Sequence, residues 1–234
     1  MNLDGTKITW LGHATFLIDS PKGIRIVTDP WLKDNPKCPP AYHELDRADI
    51  LTVSHGHFDH LGSAADLAKR TGASVVSNFE IVSYLQAQGV DGGVGMNKGG
   101  TVEVRGIRLT LVHAVHSSGI STDHGLVYGG EAGGFVIQLE NGLVIYHAGD
   151  TNVFSDMALI KELYRPDIAL LPIGGHFTMA PKEAAYAVRL LGPKVVIPMH
   201  YGTFPVLAGT PEAFRDLVGD QAEVVVLEPG GTYA

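Results

Sequence analysis

Cysteine is almost missing from this 234-residue chain: Cys38 stands alone, so no disulfide can form within it, which suits a reducing compartment and a bystander thiol. Charge is scarce as well. Only 18% of residues are Asp, Glu, Lys or Arg, and 17 basic residues against 25 acidic ones leave a formal net charge of -8. Binding to a polyphosphate backbone draws on clustered Lys and Arg, and none cluster here, so no nucleic-acid partner is expected. No apolar run approaches the length of a membrane span, and MNLDGTKITW lacks the basic segment and apolar core of an export signal. A chain without membrane association, located in the cytoplasm, is the resulting expectation. Equally absent are the GxSxG elbow of serine hydrolases, a Walker loop and a dinucleotide fingerprint.

What the chain has instead is glycine, 29 residues of it, and 45% hydrophobic residues set out in short apolar runs. Strands are expected at 7–10, 15–19, 25–28, 50–53, 74–76, 101–104 and 107–112, then at 134–139, 143–146, 168–171, 195–197 and 223–227. Helices are expected at 64–70, at 78–86 behind a capping box of Ser77 and Glu80, at about 156–164 and at 181–191. A last helix begins at Thr210 and Pro211. Asn141-Gly142 reads as a two-residue hairpin turn. The length suits one domain over 1–234, and the aperiodic runs 30–46 and 118–134 read as lids over a site.

The densest chemistry lies in SHGHFDH, residues 54–60, directly after an apolar run where a strand should end. Imidazoles and carboxylates together suit zinc, manganese or iron, so His55, His57, Asp59 and His60 read as ligands. Their spacing suggests two ions, with His55 and His57 facing one, Asp59 and His60 the other. Later apolar runs end in the same currency: His113 and His116, His147 and Asp150, and His200. Several strands would thus deliver donors to one sheet edge.

With these segments in view, the chain resembles the metallo-beta-lactamase superfamily, whose HxHxDH signature stands here as HGHFDH at 55–60. It resembles most closely the UPF0173 group of metal-dependent hydrolases, related to L-ascorbate-6-phosphate lactonases, through TWLGHATFLI, TDPW, AVHSSG, YHAGDT, LPIGGHFTM and IPMHYGTFP. The resemblance implies an α/β fold, a four-layer alpha/beta/beta/alpha sandwich. It gives His55, His57 and His116 to a first metal, Asp59, His60 and His200 to a second, and Asp150 to both, with His116 preferred over His113.

The implied cofactors are two divalent metal ions, Zn2+ or Mn2+, with a bridged hydroxide as nucleophile against an ester, lactone, amide or phosphoester bond. Asp59 and Asp150 would position ions and nucleophile, and His147 and His176 would contact substrate or move protons. Asp29 reads as a hydrogen-bond partner of a ligand or as a turn aspartate, and His13 as a neighbour of the site or a structural histidine. The hydroxyls of Ser117, Ser118, Tyr201 and Thr203 suggest a small polar or anionic substrate. An iron-dependent thiol dioxygenase and a noncatalytic metal-binding protein are the alternatives. A homo-oligomer is expected, with Trp31 and Tyr42 as interface residues.

Overall fold

The computed structural model describes residues 1–234. Six strands of a first sheet come early: β1 (Lys7–Trp10), β2 (Phe16–Asp19), β3 (Arg25–Thr28), β4 (Ile50–Thr52), β5 (Ser74–Asn78) and β6 (Val94–Met96). Between them lie α1 (Phe58–Leu61), α2 (Ala64–Thr71) and α3 (Phe79–Ala87). The second half supplies β7 (Thr101–Val104), β8 (Ile107–His113), a hairpin of β9 (Gly119–Thr122) and β10 (Gly125–Tyr128), then β11 (Gly133–Gln138) and β12 (Val144–His147). It continues with α4 (Met157–Tyr164), β13 (Ile168–Pro172), α5 (Pro181–Leu191), β14 (Val195–Met199) and α6 (Pro211–Val218). The short β15 (Glu223–Val224) and β16 (Thr232–Tyr233) close the chain.

One sheet runs β16-β1-β2-β3-β4-β5-β6 and the other β15-β14-β13-β12-β11-β8-β7. Alternation along the strands builds the layers. Ile26, Ile50, Ile145, Ile168 and Leu170 pack between the sheets, whereas their neighbours Val27 and Leu51 face α2 and α3, and Ala169 and Leu171 face α4, α5 and α6. Strands apolar on both faces are the mark of a sheet covered on both sides. The helices answer with one apolar stripe each: Leu67 with Ala64 and Ala68 in α2, Ala184, Ala187, Val188 and Leu191 in α5, Phe214 with Val218 in α6. The result is the expected four-layer α/β/β/α sandwich. No helix is long and apolar enough to cross a membrane.

Direction matters more than order for the site. In the first sheet β3, β4 and β5 run parallel, and β1 points the same way because β2 is antiparallel to both its neighbours. In the second sheet β12, β13 and β14 are parallel, and β8 shares their direction through the antiparallel β11. The carboxyl ends of these strands therefore gather functional residues, which follows the general habit of open α/β sheets.

Several local expectations change in the fold. The α3 cap is Asn78, whose side chain accepts the Ile81 N–H at 2.8 Å, while Ser77 Oγ donates to the Val53 carbonyl. The β11–β12 turn is a three-residue connection closed by the Leu139 N–H on the Leu143 carbonyl, with Gly142 but not Asn141 at positive φ. Part of the presumed lid at 118–134 is the β9–β10 hairpin. The other, 30–46, buries Leu32, Cys38 and Leu45 against the first sheet and Trp31 beside His13 and Phe58, so it is packed structure. Trp31 is accordingly not available as a surface anchor between subunits. Burial pushes the Cys38 thiol up to about 12, in keeping with an inert cysteine.

Candidate metal centre

His13 follows β1, Asp29 follows β3, His55, His57, Asp59 and His60 follow β4, His116 follows β8, Asp150 follows β12 and His200 follows β14. The strands end and the backbone turns sharply there. His13, Asp29 and His200 hold φ of 56°, 43° and 56°, a left-handed conformation uncommon for side-chain-bearing residues and concentrated where function demands an orientation. Packing enforces these bends: the His200 N–H bonds the His13 carbonyl at 3.0 Å, tying the two sheets together at the site. Close glycines let the segments meet. A Cβ on Gly174 would fall 2.1 Å from the His200 carbonyl oxygen, and one on Gly149 2.7 Å from Ser54 Cβ.

Three overlapping groups of donors result, one of them Asp29 with His55 and His60. His55, His57 and His116 bring nitrogens within 4.8 Å of one another, as do His13, Asp59, His60 and His200 with their nitrogens and a carboxylate oxygen. His57 Nδ1 stands 3.0 Å from His55 Nε2 and 3.3 Å from His116 Nε2. A tetrahedral site with metal–nitrogen bonds of about 2.0 Å separates its donors by about 3.3 Å, so this triad is spaced for such an ion. Asp150 lies between the groups. Its Oδ2 is 3.9 Å from His55 Nε2, 3.6 Å from His116 Nε2 and 3.0 Å from His200 Nε2, and its Oδ1 is 3.4 Å from His60 Nε2.

The surroundings fix how these groups present themselves. Asp29 accepts the Ser54 backbone N–H at 2.7 Å on one oxygen, and on the other the Ser54 hydroxyl at 2.6 Å and the His60 Nδ1–H at 2.7 Å. With its proton given to Asp29, the Ser54 hydroxyl accepts from His55 Nδ1 at 2.9 Å. His55 and His60 therefore both turn Nε2 toward the cluster. His13 contributes Nε2 to Asp59 Oδ2 at 2.9 Å and Nδ1 to Thr203 Oγ1 at 3.0 Å.

A test of whether a cation fits comes from the atoms left without partners. His60 Nε2, both ring nitrogens of His200 and Asp150 Oδ1 are buried with no well-aligned hydrogen bond, although Asp150 oxygens stand 3.0 Å from His200 Nε2 and 3.4 Å from His60 Nε2. Buried polar atoms are almost always paired, and here most of the exceptions gather at one point. The donor set, imidazoles and carboxylates, suits a divalent metal such as zinc, manganese or iron.

The electrostatics of the protein groups agree. Burial holds His55 well below its ordinary pKa and also lowers His57 and His116, so these imidazoles are neutral donors at neutral pH. His13 falls to about 4 for the same reason, against the pull of Asp59. Burial also opposes a proton on His60, but the carboxylates of Asp150, Asp29 and Asp59 outweigh it and raise His60 well above 6.5. For Asp59 burial favours the neutral acid, yet His60 and the His13 hydrogen bond bring it down to about 2. Asp150 goes well below the carboxylate range, since His200 and His60 overcome its burial.

Of the residues named from sequence, His55, His57, Asp59, His60, His116, Asp150 and His200 come together. His113 does not: it is exposed and bonds Lys98. Two expected catalytic residues are also elsewhere. His147 is buried with Nε2 on the Ala14 carbonyl at 2.8 Å and Nδ1 accepting the Gly149 N–H at 3.2 Å, so the backbone consumes both nitrogens. His176 is exposed and lines a separate surface depression with Gly174 and Gly175. Of the hydroxyls expected to meet substrate, two are engaged within the fold: Ser118 accepts the Gly56 N–H and donates to Gly129, and Thr203 meets His13, while Ser117 stays exposed at the cleft beside His57 and the Tyr201 ring stacks on Trp10. Asp29 and His13 prove to be the partners of His60 and Asp59, a role that sequence left open.

A family model described as the beta-lactamase superfamily domain matches residues 7–200. A UPF0173 metal-dependent hydrolase of Koribacter versatilis is 50% identical over 234 residues, covering 100% of this chain and 100% of its own. Another, of Rubrobacter xylanophilus, is 53% identical over 233 residues, 97% of this chain and 96% of its own. Among solved structures, Igni18, a metallo hydrolase from the hyperthermophilic archaeon Ignicoccus hospitalis, is similar with a TM-score of 0.85 at 38% identity, covering 97% of each chain.

Proposed function

The chain belongs to the beta-lactamase superfamily and, within it, to the UPF0173 metal-dependent hydrolases, and from that membership we propose that it is a hydrolase acting through two divalent ions, zinc or manganese. His55, His57 and His116 would hold one, Asp59, His60 and His200 the other, and Asp150 both. We further take 1–234 to work as one domain. The observation that carries the reading is the set of buried atoms without a well-aligned hydrogen bond on His60, His200 and Asp150, between two donor groups of the right chemistry.

Ions held there would supply water activated toward neutral pH and would polarise the bond under attack, whether ester, lactone, amide or phosphoester. The chain's own residues do the rest. Asp29 holds the His60 ring through Nδ1 so that Nε2 faces inward, and Ser54 does the same for His55. His13 orients the Asp59 carboxylate. Asp150 and Asp59, both ionised, offset the repulsion between two cations in a buried site. His57 and His116, half-buried, border the cleft from which a substrate enters.

The test is elemental analysis of tag-free protein together with hydrolysis of ester and phosphoester substrates before and after chelation. About two equivalents of zinc or manganese per chain, with turnover lost on chelation and restored by metal, is the expected result. One equivalent would remove the dinuclear reading. Iron with oxygen uptake would replace hydrolysis by redox chemistry.

A further inference from the structure

The donor cluster forms part of a cleft of about 700 Å³, within the range that encloses a small organic molecule. Its other walls are apolar. Phe58 opens α1, Leu126 stands on the β9–β10 hairpin, Phe177 follows β13, and Phe204 and Val206 follow β14. Four of these side chains are left in solvent, Phe58 at 59%, Leu126 at 74%, Phe177 at 55% and Val206 at 47% exposure. Single exposed hydrophobes are ordinary, but several converging from four separate segments on one cleft mark a binding surface. The surface is also braced from below: the buried Trp31 ring meets Phe58 edge-on at 5.7 Å and Phe204 at 6.0 Å.

Equally informative is what the cleft omits. None of its 13 lining residues is Lys or Arg. Recognition of a phosphate or carboxylate group normally uses such cations in bidentate or point-charge contacts, and here an anionic group away from the ions would find only apolar walls and the small hydroxyls of Ser117 and Ser121. Of the other hydroxyls expected to greet a polar substrate, those of Ser118 and Thr203 are turned into the fold.

We infer that the substrate is an uncharged carboxylic ester, open or cyclic, whose acyl part is apolar and lies against Phe58, Phe177, Leu126 and Val206. This deepens the hydrolase reading and rests on it. It also replaces the polar or anionic substrate expected from sequence. The acyl chain is bound by desolvation, and each methylene buried there is worth about fourfold in kcat/KM. The reaction adds water across the ester C–O bond: the carbonyl carbon takes the hydroxyl oxygen, and the leaving alkoxide takes a proton.

The metal-loaded full chain should be assayed on p-nitrophenyl acetate, butyrate and octanoate beside p-nitrophenyl phosphate and bis(p-nitrophenyl) phosphate. Expected is a kcat/KM that climbs at least tenfold from acetate to octanoate, with both phosphates slower than butyrate by 100-fold or more. Phe177→Ala and Leu126→Ala should each reduce the octanoate-to-acetate ratio at least threefold. Independently of turnover, the neutral fluorophore N-phenyl-1-naphthylamine should bind the wild-type chain and bind the two variants at least threefold more weakly. Faster turnover of a phosphate, or a flat chain-length series, overturns the apolar-ester inference while leaving the metal hydrolase standing. Should no substrate show chelator-sensitive turnover, the hydrolase reading falls instead, and fluorophore binding that ignores both substitutions overturns the apolar wall as well.

Discussion

His13 Nε2 lies 2.9 Å from Asp59 Oδ2, so a residue at the end of the first strand holds a carboxylate that the chain delivers 46 positions later. With its pKa lowered to about 4 by burial, His13 is neutral at pH 7 and carries one ring proton. The carboxylate requires that proton on Nε2, which leaves Nδ1 to accept from the Thr203 hydroxyl at 3.0 Å. His13→Ala frees Asp59 to rotate. We expect affinity for a metal held by Asp59, His60 and His200 to fall about 10- to 100-fold, the usual effect of losing an outer partner, while any metal held by His55, His57 and His116 is retained. Chelator competition titrations on the variant decide it, and equal loss at both sites would speak against a role confined to Asp59.

Asp29 performs the same service for His60. Its side chain is almost completely buried, and it accepts from the Ser54 N–H, the Ser54 hydroxyl and His60 Nδ1. Asp29→Asn places an amide where at least one of these donors must meet another donor. Metal binding at the His60 group should weaken by about 10- to 100-fold, and stability should drop by about 1 to 3 kcal/mol because a buried donor loses its acceptor. Metal titration and urea unfolding on one preparation check both. An Asn variant with wild-type metal affinity would make Asp29 a turn residue only.

Gly174 offers a steric probe of His200 from outside the donor set. The missing Cβ is what lets the loop after β13 pass the His200 carbonyl, 2.1 Å from where a methyl would sit. Backbone cannot yield as a flexible side chain does, so Gly174→Ala should shift His200 or the loop. We expect about 2 kcal/mol or more of destabilisation and less metal bound per chain than in the wild type. A thermal melt with elemental analysis reads both, and a variant indistinguishable from wild type would mean that the two segments part without strain.

How much of this was legible beforehand depends on how local each feature is. Residues 54–60 carry four candidate donors within seven positions, so their gathering after one strand is visible in the sequence alone. Likewise β1, β3, β7 and α5 fall where apolar pattern and the helix-opening Pro181 put them. The roles of His13 and Asp29 depend on tertiary contacts between strand ends, and a left-handed histidine has no sequence signature. His147 misled because a histidine at a strand end looks the same whether it turns into the cleft or, as here, between the sheets onto Ala14. The β9–β10 hairpin escaped notice since β10 is exposed along its length and shows no alternation. That same exposure is what puts Leu126 at the cleft.

The last prediction concerns acid. Burial lowers the pKa of His13, His55, His57, His116 and His147 in the fold, whereas in the unfolded chain each titrates near about 6.5. Below that pH the unfolded chain binds protons that the folded one refuses, so stability of the metal-free protein must fall as pH drops. His60 runs the other way. Its raised pKa adds stability that is complete below about 6.5 and fades as pH rises through its folded value, but it is one group against five. Asp59, brought to about 2 in the fold, contributes in full above its ordinary value and loses that contribution as pH falls toward 2, which adds a second decline at lower pH. The urea midpoint of chelator-treated protein should therefore be lower at pH 5.5 than at pH 7.5, and bound metal should be released over the same interval as protons compete for the imidazoles. A midpoint that holds or rises toward pH 5.5 would mean that these histidines accept protons without opening the fold.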